Sequence, residues 1–139
     1  MTPSLRSSND LLGRRILVLE DDEDIRYLIS DILELQGAAV VGETRAEEAI
    51  RQLDRQRFHL LIAELDADYG RGESVIDHAA RCQPHLYSCT IVMTRNPFAT
   101  GRRERLARLG RVVLYKPFSI DALRGFAVGL IRNATARAA

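Results

Sequence analysis

Short apolar runs recur along the chain, and four of the five run into a polar residue. Ile16 to Leu19 runs into Glu20. Leu60 to Ala63 runs into Glu64, and Thr90 to Met93 into Thr94. Val112 to Tyr115 runs into Lys116, and Ala38 to Val41 forms one further short run. Runs without polar alternation suit strands covered on both faces, as in a parallel sheet. Between them the apolar spacing turns helical. Ile25, Leu28, Ile29, Ile32 and Leu33 share one face, and Gly37 is placed as a stop. Thr44-Arg45-Ala46-Glu47 reads as a capping box for a helix that turns Ala46, Ala49, Ile50 and Leu53 inward. Glu73 to Cys82 carries Val75, Ile76, Ala79 and Ala80 on one face and stops near Pro84. Asn96-Pro97 breaks the chain before an Arg-rich helix from Thr100 to Leu109. Ser119 caps a last helix with Leu123, Phe126, Ala127, Leu130 and Ile131 inward.

Five strands thus alternate with five helices. That pattern predicts a doubly wound α/β domain, a five-stranded parallel sheet with helices on both faces. The domain is expected over 14–133. Residues 1–13 read as a tail in which Leu11 and Leu12 could dock, and 134–139 as a fraying end.

Composition changes this picture little. The net charge of +1 gives no global pull toward nucleic acid or an anionic membrane. Cys82 and Cys89 fit neither a disulfide framework nor a zinc site, and His59, His78 and His85 are scattered and suggest no ligand set. No apolar run approaches membrane-spanning length, and the N-terminus lacks the apolar core of a secretory leader. A cytoplasmic protein is expected.

The candidate chemistry lies at the strand ends. Glu20 to Asp24 is a block of five acids. Asp22, Glu23 and Asp24 suit the cap and first turn of the next helix. Glu20 and Asp21 remain at the strand end itself. In the common strand order 2-1-3-4-5, sites form in the crevice beyond the carboxyl ends of the strands. Glu20, Asp21, Glu64, Thr94 and Lys116 converge there. Three carboxylates need a hard cation or a lysine, and an all-oxygen set suits Mg²⁺. A threonine hydroxyl and an ammonium opposite the acids could grip a phosphoryl group.

These motifs resemble the receiver domain of bacterial two-component response regulators, over about Arg14 to Arg132. L-V-L-E-D-D-E-D-I-R is similar to the family's first strand with its acidic pair, here Glu20 and Asp21. V-M-T matches the hydroxyl-bearing end of strand four, here Thr94, and Y-K-P-F matches the lysine and proline, here Lys116 and Pro117. The resemblance implies a flavodoxin-like fold, Mg²⁺ held by Glu20, Asp21 and the strand-three residue, and a cis Lys116-Pro117 bond. It also implies a partner face on helix four, strand five and helix five. Arg102, Arg105 and Arg108 lie there, for a histidine kinase, a downstream regulator or a second protomer.

The departures carry the functional expectation. The family's phosphoryl acceptor is an aspartate, and here Glu64 stands in its place. The added methylene disturbs in-line geometry, and about 1 Å of misplacement costs on the order of 100-fold in rate. Glu64 could instead reach Lys116 as a partial, permanent mimic of a phosphorylated acceptor. The family's small residue after the hydroxyl position is Arg95, long enough to cover the pocket and pair with Glu64. The aromatic switch position falls on Val113, with Tyr115 beside the lysine. A pseudo-receiver that signals through protein contacts is therefore expected, with Mg²⁺ bound weakly and no catalytic activity. No DNA-binding effector domain is expected. The alternatives are a phosphorylatable receiver using Glu64 or Asp66, and a Toprim-like Mg²⁺ nuclease site built on Asp66-x-Asp68 with Glu20.

Overall fold

The computed structural model describes residues 7–96, 101–109 and 112–138. Residues 1–6 of the expected tail, Pro97 of the expected break, the helix start at Thr100, and Arg111 lie outside them. Five strands form one parallel sheet in the order β2-β1-β3-β4-β5. They are β1 Arg15–Leu19, β2 Ala39–Glu43, β3 Leu60–Glu64, β4 Thr90–Thr94 and β5 Val112–Tyr115. The central strands β3 and β4 are buried at every position, which explains why they show no alternation. The helices are α1 Glu23–Glu34, α2 Ala46–Arg55, α3 Gly72–Cys82, α4 Arg102–Leu109 and α5 Ile120–Ala138, with a 3₁₀ segment at Pro84–Ser88.

The expected fold and strand order are present, and local chemistry accounts for most boundaries. Asp22 caps α1, its Oδ1 accepting from the Ile25 amide at 3.1 Å. The capping box expected at α2 does not form. Arg45 occupies the cap position with no side-chain bond, and Asp68 Oδ2 accepts from the Ala46 amide at 2.9 Å. A carboxylate distant in sequence thus does the work expected of Thr44 and Glu47. Asp68 reaches it from a turn at Ala67–Gly70, where Asp68 and Tyr69 take left-handed backbone angles.

Both expected tails are partly structured. The Ser8 and Leu11 amides donate to the carbonyls of Leu35 and Gln36, each at 2.8 Å, and Leu11 is fully buried. Gly37, at φ +96°, lets this turn close, because a Cβ there would lie 2.9 Å from Leu12 Cα. At the other end, α5 runs to Ala138, through the residues expected to fray.

Gly72 begins α3 against the end of β3. A Cβ there would collide with the Glu64 carbonyl and lie 2.9 Å from Leu65 Cα. Backbone on both sides cannot yield as a flexible side chain would. Gly72→Ala is therefore expected to cost about 1–3 kcal/mol, read as a lower denaturant midpoint.

Candidate functional site

The strand register brings the expected residues to one edge. Past each strand end the hydrogen-bond ladder continues for one more residue. The Glu20 amide donates to Glu43 O at 3.0 Å, Leu65 to Met93 O at 2.9 Å, and Lys116 to Thr94 O at 2.9 Å. Glu20, Glu64, Thr94 and Lys116 are thereby fixed in adjacent positions by backbone alone. The Lys116-Pro117 bond is cis.

Lys116 is the hub. Its ammonium hydrogen-bonds Glu20 Oε1, and it stands 3.1 Å from Glu64 Oε2, at ion-pair distance but without hydrogen-bond geometry. All three side chains are almost wholly buried, at 6%, 0% and 2% exposure for Lys116, Glu20 and Glu64. One cation therefore serves two carboxylates. Among the described residues, Glu20 Oε2 and Glu64 Oε2 are buried with no hydrogen-bond donor, Glu64 Oε2 meeting Lys116 only as an ion pair. Glu64 Oε1 accepts from the Asp66 amide at 3.3 Å. Asp21, Glu64, Asp66 and Arg95 line a cavity of about 140 Å³ beside this cluster.

Burial pushes the carboxyls of Glu20 and Glu64 above the usual glutamate range, with Lys116 pulling against it. Both groups hold their protons more tightly folded than unfolded. Their contribution to stability is complete below the unfolded pKa of about 4.3 and is lost as pH rises through the folded values. Glu64→Gln removes one buried charge at constant shape and leaves Glu20 and Lys116 paired one to one. It should be more stable than wild type at neutral pH, and the advantage should shrink as pH falls toward the unfolded value. Denaturant unfolding across that range checks the sign.

A second cation enters from α4. Arg102 Nη2 pairs with Asp66 Oδ1 at 2.9 Å, and Nη1 donates to Thr94 Oγ1 at 3.4 Å. Thr94 Oγ1 also accepts from the Asn96 amide at 3.2 Å. Arg95 borders the cavity as expected, and among the described residues the guanidinium paired with Asp66 at its rim is that of Arg102. One expectation changes here. Arg102 correspondingly leaves the expected partner face, its side chain being only 15% exposed. The salt bridge to an acid on the far side of the pocket outweighs solvation of one more surface arginine. Arg105 stays outside and pairs with Glu73 on α3, while Arg108 borders an open concavity with Tyr87, Leu106, Val113 and Tyr115.

The Asp-x-Asp pair is split. Asp66 faces Arg102, Asp68 caps α2, and the Asp68 amide donates to Asp21 Oδ2 at 3.2 Å. Only one of the two carboxylates of that pair is at the pocket.

No known protein-family profile matches the chain. Response regulator protein FleR of Pseudomonas aeruginosa is 29% identical over 112 residues, covering 81% of this chain and 23% of FleR. The chain thus spans less than a quarter of that relative's length. The receiver domain of the Pseudomonas aeruginosa sensor histidine kinase PA1611, which has magnesium coordinated in its active-site cleft, superposes with a TM-score of 0.76. It is 24% identical, over 86% of this chain and 98% of that one. A CheY-like receiver domain protein of Methanospirillum hungatei gives 0.80 at 19% identity, over 89% and 98%. The Francisella response regulator 1452 receiver domain gives 0.74 at 22%, over 87% and 98%. In fold, and in the sequence it shares with FleR, the chain is similar to the receiver domains of response regulators.

Proposed function

We propose that the chain is a receiver-fold module of two-component signal transduction that works through protein contacts and does not accept a phosphoryl group. One observation carries this reading. Lys116, the cation that would steady an incoming phosphoryl group, is already held by Glu20 and Glu64. Glu64 stands at the acceptor position as a built-in anion. It is a partial stand-in, because a phosphoryl group brings more charge and three acceptor oxygens. Arg102 supports the same reading from the other side by occupying Thr94 and Asp66. Asp66, the alternative acceptor, is thus engaged by an internal guanidinium. The Toprim-like reading loses Asp68 to the α2 cap.

A hard divalent cation fits the donor set. Glu20, Asp21, Glu64 and Asp66 bring four carboxylates against two nearby cations, Lys116 and Arg102, and among the described residues the buried Glu20 Oε2 lacks a donor. Mg²⁺ would be held by Glu20, Asp21 and Glu64 and would supply charge neutralisation there. Its binding is weak, because Lys116 competes for two of the three ligands. Titration of Mg²⁺ should move amide resonances near Asp21 and Glu64, and shifts confined to other regions would count against the site.

The partner is a histidine kinase or a downstream regulator in the cytoplasm, met through α4, β5 and α5, where Arg108 and Tyr115 are presented. Arg108→Glu should weaken that association. Self-association through the same face would appear as a concentration-dependent sedimentation coefficient.

The reading is tested by incubating the protein with acetyl phosphate and Mg²⁺ and weighing it intact. An unmodified mass is expected. A phosphoryl adduct mapped to Glu64 or Asp66 would restore an ordinary phosphorelay role.

A further inference from the structure

The helices α2 and α3 pack side by side, and both end at the amino edge of the sheet. That is the edge opposite the acidic pocket. Asp54 lies in the last turn of α2. His78 and Cys82 lie one turn apart on α3, so both project from one face of that helix. One ligand atom from each of these three residues lies within 4.8 Å of the other two. His78 Nε2 is 2.8 Å from Asp54 Oδ1, and Cys82 Sγ is 4.0 Å from Leu53 O, which puts the thiol on the α2 side of α3.

A tetrahedral ion with bonds of about 2.0–2.3 Å separates its ligand atoms by about 3.3–3.8 Å. The Asp54–His78 pair needs to open by roughly half an ångström, and the remaining separations to close by at most about 1.5 Å. Rotation of exposed side chains covers this without moving either helix. The donors are one sulfur, one nitrogen and one oxygen. Hard cations prefer all-oxygen sets, whereas a mixed set with thiolate and imidazole selects a borderline-soft divalent ion. Asp54 is half exposed and His78 a quarter exposed, so the ion can enter from solvent without opening the core.

We propose that Asp54, His78 and Cys82 form a Zn²⁺ site that clasps α2 to α3, with solvent in the fourth position. On binding, the Cys82 thiol releases its proton to water and His78 binds through a neutral imidazole nitrogen.

Co²⁺ titration of the full chain under reducing conditions tests the site. The expected result is a thiolate-to-cobalt charge-transfer band at one equivalent, bleached by Zn²⁺. Cys82→Ser should abolish the band. Cys89→Ala should leave it, since Cys89 is buried in the core. His78→Ala should weaken apparent Co²⁺ affinity by at least about tenfold. Zn²⁺ should raise the melting temperature of wild type but not of Cys82→Ser. Far-ultraviolet circular dichroism verifies that the variants fold. Absence of the band in excess Co²⁺ would overturn the proposal, as would its survival in Cys82→Ser or indifference to His78→Ala. The readout does not involve the acidic pocket, so phosphoryl uptake there would leave it unchanged.

Discussion

Lys116→Met should destabilise the protein by about 3–5 kcal/mol, more than any other single substitution at the site. The lysine is buried between two buried carboxylates. Methionine fills similar space, so lost packing contributes little. What remains is Glu20 facing Glu64 with no cation between them. Two like charges in a low-dielectric pocket cannot both stay ionised, and their carboxyls should be driven still higher than in wild type. The same logic predicts recovery. Lys116→Met combined with Glu20→Gln and Glu64→Gln removes all three charges and should regain most of the loss, because a buried ionic cluster replaced as a whole is near neutral in stability. Denaturant midpoints of the single and triple variants measure both effects. A single-variant loss no larger than that of a surface substitution would mean that Lys116 does not hold the two glutamates.

The second large effect is a gain. Glu64→Asp shortens the side chain at the proposed acceptor position by one methylene and withdraws it from Lys116, which leaves the ammonium with Glu20 alone and open toward an incoming phosphoryl group. Uptake from acetyl phosphate, below detection in wild type, should become measurable, since correcting about 1 Å of misplacement is worth on the order of 100-fold in rate. Arg102→Ala added to Glu64→Asp should raise it further, because Thr94 Oγ1 and Asp66 are then released. Arg95, which borders the cavity, is the second residue whose removal should help. Intact-mass time courses compare the single and double variants. Equal rates would show that Arg102 does not obstruct the pocket, and no uptake in either would show that the acceptor is not the only missing part.

The sequence makes the sheet legible because a buried parallel strand leaves an uninterrupted apolar run. The site is legible for the same reason. In a parallel sheet every strand end points the same way, so the residue after each run falls at one edge. Glu20, Glu64, Thr94 and Lys116 could therefore be placed together before any coordinates. What stayed hidden depends on side chains that cross between elements. Arg102 is one of several arginines on α4, and only its reach to Asp66 separates it from Arg105 and Arg108. Asp68 acts on a helix 22 residues earlier in the chain. The Asp54–His78–Cys82 cluster left no signal that marked His78 or Cys82 as ligands, because two members on α3 meet the third only through α2. Docking of the tail through Leu11 or Leu12 was anticipated, but a single turn has no period, so the sequence did not separate the buried Leu11 from the exposed Leu12.

The central claim is that the acidic pocket is closed by this chain's own charges. A crystal structure grown with Mg²⁺ and acetyl phosphate tests it most directly. The account predicts Lys116 between Glu20 and Glu64, Arg102 on Asp66 and Thr94, and no phosphoryl density. Phosphoryl density on Glu64 or Asp66, with Lys116 turned onto it and Arg102 displaced, would contradict it.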